Sequence, residues 1–210
     1  MTPERRSALV AATVAEFASA GYDGASLNRI IRAAGMSKSS FYHFVGSKDE
    51  LFDAVVRMLI ADVIARWTPP VPSAFGGRAF WRRVDLLLEE IAQLSETPEM
   101  QHLGRIFYLR GEPEERGARA EMLAAVRSWV ESVLQTGRDS GAVRTDLPLD
   151  LQSDVVFAVL RAIDEWALAG GAVRPERAAV AASAPGLVLR RLLARDRAAF
   201  GTMNHGAGAR

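Results

Sequence analysis

The sequence holds no cysteine. That excludes disulfide scaffolds, thiolate metal sites and cysteine nucleophiles, and it suits a cytoplasmic protein. No apolar run reaches the roughly 18 residues of a membrane-spanning helix, and the N-terminal Met-Thr-Pro-Glu-Arg-Arg lacks the apolar core of a secretory signal. Histidine is scarce, at three residues. His102 follows Glu99 at the Glu-x-x-His spacing that holds metals in helical bundles, but that chemistry needs a second copy and two further inward glutamates. His43 and His205 lie elsewhere, so no metal or other cofactor is expected. No phosphate loop, recognisable Ser/His/Asp arrangement or supported carboxylate pair occurs, so no catalytic residue is assigned and the chain does not read as an enzyme. Charge of one sign is lacking too. There are 26 Lys+Arg against 25 Asp+Glu, a formal net charge of +1. A polyanion would have to be held by cations clustered in space. Lysine is almost absent, with only Lys38 and Lys48 in the chain.

What remains is a helix-forming sequence. The chain has 210 residues, 49% of them hydrophobic and 24% charged, enough to build one large or two small globular domains. No strand alternation and no internal repeat is visible, and the fold class expected is all-α. The stretch 26–48 is the most informative. Leu27, Ile30, Ile31 and Ala34 recur at helical spacing, and Gly35 stands where a C-cap glycine belongs. Ser37 is placed to cap a second short helix. Ser47 with Glu50 forms the S-x-x-E capping box of a third. Two helices around a glycine turn make a helix-turn-helix, whose second helix can enter a major groove. That helix carries Lys38, Ser39, Ser40, Tyr42 and His43, groups suited to phosphates and base edges. Phe41 and Phe44 share one side and can dock it. Lys48 opposes the dipole of the helix it begins, which fits a phosphate partner nearby.

This stretch resembles the DNA-binding domain of the tetracycline-repressor (TetR) family. Ala-Ala-Gly-Met-Ser is followed by Phe-Tyr and then by Ser-Lys-Asp-Glu-Leu-Phe, and the likeness runs from about Leu9 to Leu59. The resemblance implies an all-helical homodimer that represses transcription and releases DNA when a small ligand binds. Carried over residue by residue, it implies phosphate contacts by Ser26, Tyr42 and Lys48, and base or phosphate contacts by Lys38, Ser39, Ser40 and His43. Phe44 stands where the family often has His or Tyr, and it can make no hydrogen bond.

Around the motif, periodicity predicts helices over 4–20 and 48–67. Thr68-Pro69-Pro70-Val71-Pro72-Ser73 and Gly76-Gly77 then break regular structure, which puts a domain boundary there. The expected organisation is a helix-turn-helix domain with its connecting helix over 1–67 and a larger helical domain over 78–197. A Gly-rich tail over 198–210 is expected to be disordered. The larger domain divides into helices at about 78–96, 98–110, 113–140, 149–169 and 176–197, the last kinked at Pro185 and Gly186.

Its bulky residues Trp81, Met100, His102, Phe107, Tyr108, Met122 and Trp129 fit either an ordinary core or the lining of a small-molecule pocket, and the resemblance favours the pocket. Val156, Leu160, Ile163, Leu187, Val188 and Leu192 lie among alanines on the last two long helices. Such faces pack within a chain or against a second copy. The function expected is a ligand-responsive regulator, most simply a repressor, on a palindromic operator. An all-helical enzyme or a protein-binding adaptor with an incidental helix-turn-helix is the alternative.

Overall fold

A computed structural model of the chain describes residues 2–43, 45–95, 97–107, 117–168 and 175–195. Among them are nine α-helices: α1 Pro3–Gly24, α2 Leu27–Ala33, α3 Lys38–Tyr42, α4 Lys48–Ile64, α5 Phe80–Leu94, α6 Pro98–Phe107, α7 Ala118–Asp139, α8 Leu149–Leu168 and α9 Pro175–Leu193, with a 3₁₀ turn at Pro72–Phe75. The all-α expectation holds: the described residues contain no strand, only an isolated antiparallel bridge between Val143 and Ala194. None of the described helices is long and apolar enough to cross a membrane. Tyr108, Phe44 and the expected tail fall outside the described residues.

The chain forms two compact units that do not follow chain order. The first comprises Met1–Pro69 with Ala92–Val126, the second Pro70–Ile91 with Arg127–Arg210. The first unit breaks off inside the Pro-rich stretch, then takes in α6 and the start of α7.

In the first unit α1 packs on α2, α4 and α6, and α4 packs on α6. Val14, Phe17, Ile30, Phe41, Val55 and Val56 are all fully buried. Phe17, Tyr22 and Phe52 form a ring cluster, with centroids 4.8–5.5 Å apart. Tyr22 reaches that cluster because α1 kinks at Gly21, whose φ of 71° is open to glycine at no steric cost. The Tyr22 hydroxyl donates to Asp49 Oδ1 at 2.5 Å. Asp53 of α4 accepts the Ala118 backbone N–H at 2.5 Å, and Arg57 pairs with both Asp53 (3.0 Å) and Glu121 (3.2 Å). These contacts fasten α4 to the first turn of α7, where a carboxylate is favoured by the exposed N–H groups.

In the second unit α8 packs on α9. The chain after α7 returns as Val143, fully buried, and the Arg144 N–H donates to Leu193 O at 2.9 Å. The sequence periodicity extends the last helix to 197; instead α9 stops at Leu193, because Ala194 pairs with Val143 and the Arg195 N–H turns to Ala142 O at 3.2 Å. Helix α9 runs on through Pro185.

Gly137 is a second position where only glycine fits. A methyl group there would lie 2.5 Å from Val143 Cγ2 and 2.7 Å from the Phe80 ring. In an open helix, alanine gains about 1 kcal/mol over glycine. Here both neighbours are fixed in the core, and overpacking costs about 1–3 kcal/mol. Gly137→Ala is therefore expected to lower the unfolding midpoint in chemical denaturation, and an unchanged or raised midpoint would show that the contact relaxes freely.

Candidate nucleic-acid interface

The local signals of the motif are realised atom by atom. Helix α2 ends at Ala33, Gly35 turns left-handed with φ 64°, and the Met36 N–H closes the turn on Ile31 O at 3.0 Å. Ser37 Oγ accepts the Ser40 N–H at 3.1 Å and starts α3. Ser47 Oγ accepts the Glu50 N–H at 3.1 Å and starts α4. The Glu50 carboxylate turns back to the Gly46 N–H at 2.8 Å, one residue earlier than a regular capping box. Phe41, 0% exposed, pins α3 to the core. With its one large apolar side chain inward, α3 turns Lys38, Ser39, Ser40 and Tyr42 outward, and His43 at its end is exposed as well.

The near-neutral charge resolves once each cation is traced. Of the basic residues in 1–66, Arg6 pairs with Asp62 at 3.2 Å, Arg29 with Glu16 at 2.5 Å, Arg57 with Asp53 and Glu121, and Arg66 with Glu99 at 2.8 Å. The Arg29 guanidinium holds the Glu16 carboxyl below the usual carboxylate range, and that same carboxylate accepts the Ser26 N–H at 2.9 Å. Ser26 caps α2 in position only, since its hydroxyl makes no cap bond. Glu99, the acid of the sequence's Glu-x-x-His pair, is committed to Arg66, and the described residues hold no group of side chains suited to a metal ion.

Lys48 corrects the electrostatic argument made from sequence. Its Nζ donates to Tyr22 O at 2.9 Å and Asp23 O at 3.3 Å, and sits 4.9 Å from the centre of the Tyr22 ring. The unfavourable end of α4 is thus offset by the favourable C-terminal end of α1, and no phosphate is needed to explain a lysine there. An ammonium has three donors, and two of them are used here.

Of the eight basic residues in 1–66, Arg5, Arg32 and Lys38 have neither an ion pair nor a side-chain hydrogen bond among the described residues. One of these, Arg5, shares an open groove of about 1060 Å³ with Thr2, Met36, Ser39, Ser40, Tyr42 and His43. That lining contains no acid. A concave surface of hydroxyls, an imidazole and an unpaired cation, presented by a capped helix-turn-helix, is suited to a phosphodiester strand and base edges. Thr2 and Arg5 are absent from the sequence assignment, because the fold that brings α1's first turn beside α3 is not written in local spacing.

Residues 9–55 match the family described as bacterial regulatory proteins, tetR family. The helix-turn-helix segment is of the TetR kind. The chain is 28% identical over 140 residues to the HTH-type transcriptional repressor AcnR of Corynebacterium efficiens, a match covering 64% of this chain and 66% of that protein, just under two thirds of its length. It is 25% identical over 182 residues to the HTH-type transcriptional repressor KstR2 of Rhodococcus jostii, covering 80% and 82% of the two chains. A solved TetR family transcriptional regulator from Chloroflexus aurantiacus superposes with a TM-score of 0.69 at 22% identity, over 93% of this chain and 96% of that one.

The other residues assigned from the TetR resemblance divide between the two units. Trp81 and Trp129 belong to the second, in an aromatic cluster with Phe75 and Phe80. Their indole N–H groups donate to Ala142 O at 3.1 Å and Pro70 O at 2.9 Å, so both already have the polar partner a buried tryptophan needs. Met100, His102 and Met122 are half-buried in the first unit. Burial, reinforced by the charge of Arg105, pushes the His102 imidazole below its usual range and favours its neutral form. Phe107 ends α6, and Tyr108 lies outside the described residues.

On the last two helices, Val156 is only 9% exposed and has little surface left to offer a partner. Leu160 and Ile163 are half-buried, whereas Leu187, Val188 and Leu192 stand out from α9. Trp166 and Val180, unassigned from sequence, are also exposed and line a shallow apolar groove with Ala162, Ile163 and Ala184.

Proposed function

We propose that this chain is a TetR-family repressor that binds a palindromic operator as a homodimer and lets go when a small molecule binds. The observation that carries the reading is the acid-free groove, in which α3 sets Ser39, Ser40, Tyr42 and His43 beside an unpaired Arg5, with an unpaired Lys38 on the same helix. The relatives named as repressors support the sign of regulation. In this reading Lys38, Ser39, Ser40 and His43 meet bases or phosphates, Tyr42, Ser26 and the remaining donor of Lys48 meet phosphates, and the protein works in the cytoplasm.

Dimerisation is assigned to the outward face of α8 and α9. Isolated exposed apolar residues need no explanation, but a cluster of them marks an interaction surface. Met100, His102 and Met122 are proposed to line the effector site, with the neutral imidazole of His102 as a hydrogen-bonding group in an otherwise apolar lining. The effector would weaken DNA binding only by its differential affinity for the two states of the dimer.

Binding to a duplex selected by the protein from a randomised library is expected to weaken steeply with salt, with log affinity linear in log salt concentration. Lys38→Ala should weaken that binding and relax preference at particular base pairs. Affinity that ignores salt would remove DNA from the reading and leave a protein-binding adaptor, and salt-dependent affinity equal for every duplex would remove the operator.

A further inference from the structure

We infer that Arg5, at the start of α1, holds a backbone phosphate of the bound DNA beside the segment read by α3. The inference rests on the operator-binding reading above. Thr2 Oγ1 caps α1 by accepting the Arg5 N–H at 3.4 Å, which fixes Arg5 in the first turn. Its neighbour Arg6 faces a different side, with Nε on Met58 Sδ at 3.2 Å and its guanidinium on Asp62. Two adjacent arginines therefore divide the work, since successive helical positions point about 100° apart. Arg6 holds α1 to α4, and Arg5 is left over the groove.

The groove supplies the rest of an anion contact. Thr2, Ser39, Ser40 and Tyr42 offer hydroxyls, His43 offers an imidazole, and no carboxylate lines it. An exposed guanidinium without a partner loses no ion pair when it takes up a phosphate. It gains charge-assisted hydrogen bonds and releases a counterion. Near-neutral net charge makes each such unpaired cation count, because the remainder of the unit neutralises itself.

The test compares wild type, Arg5→Ala, Arg5→Lys and Arg82→Ala on two probes, the duplex selected by the wild type and an unrelated duplex of equal length. Arg82 is exposed and lies in the second unit, so its replacement changes net charge equally without touching the groove. Arg5→Ala should weaken both duplexes by a similar factor, on the order of tenfold at moderate salt, and flatten the log–log salt slope by about 2 for two copies per dimer. Arg5→Lys should restore most of the slope, since a point charge suffices for a phosphate. Arg82→Ala should leave both unchanged.

If Arg5→Ala behaves like Arg82→Ala while the wild type binds its duplex well, Arg5 is not in the interface. A loss confined to one base pair, unrescued by lysine, assigns Arg5 to a base and overturns the phosphate role. If the wild type itself shows no salt-dependent binding, the operator-binding reading fails first, and that outcome is distinct from either.

Discussion

Leu187→Glu is expected to convert the proposed dimer into a well-folded monomer and to weaken operator binding by roughly 100-fold or more. Leu187 is 67% exposed within its own chain, so a glutamate there stays solvated in the monomer and leaves the fold undisturbed. In the proposed two-fold interface the α9 faces of both protomers are buried together, because an isologous contact uses the same patch on each. Each carboxylate would then be desolvated in an apolar interface, without pairing or hydration.

The effect on DNA follows from linkage of the two half-sites. A second reader on the same duplex adds a factor of about 10²–10⁴ by effective concentration alone, and a monomer forfeits it. Sedimentation equilibrium reports the oligomer and a titration of the selected duplex reports the affinity. A Leu187→Glu protein that remained dimeric would move the interface away from α9. A monomer that kept full affinity would dissolve the link between dimerisation and reading.

Phe41→Ala is expected to have the largest effect on the first unit's stability. Phe41 is 0% exposed and belongs to the cluster that includes Leu9, Ile30, Leu51 and Val55. Helix α3 spans five residues, Lys38–Tyr42, far below the dozen or so that could hold a helix by propensity in water. Its integrity comes from the Ser37 cap and from this one ring. Removing a buried phenylalanine typically costs about 3–5 kcal/mol, against a total domain stability of about 5–15 kcal/mol. DNA binding should be lost at temperatures where the protein remains largely helical, because the short α3 contributes little to the total. Amide exchange would separate the outcomes: protection should fall around α3 first. Unchanged protection with DNA binding intact would mean that the cap alone positions the helix.

These two residues show different kinds of legibility. Phe41 could be named from sequence because, with Phe44 three residues on, it marks the one apolar side of a polar, capped helix, and that side can face only inward. Leu187 could be named as an apolar position on the last helix, but not as an outward one. Val156 has the same composition signal on α8 and is buried in its own chain, while Trp166, which the pattern did not single out, is exposed. Periodicity identifies an apolar face; it does not say whether the surface opposite belongs to the same molecule.

The recognition stretch divides in the same way. Gly35 at φ 64°, the Ser37 and Ser47 caps and the all-helical character follow from interactions within about five residues along the chain, and that range is what sequence spacing encodes. What each charge does is decided by residues far away in sequence. Lys48 sits on the end of α1 through Tyr22 O and Asp23 O, Arg6 is tied to Asp62, and Arg29 to Glu16. Only after those pairings are made does Arg5 emerge as a cation left over beside α3. The sequence by itself determined that a helix-turn-helix forms and which side chains its second helix displays. The tertiary structure decided which cations remain free to hold a polyanion, because an ion pair forms between whatever groups the packing brings within a few ångströms.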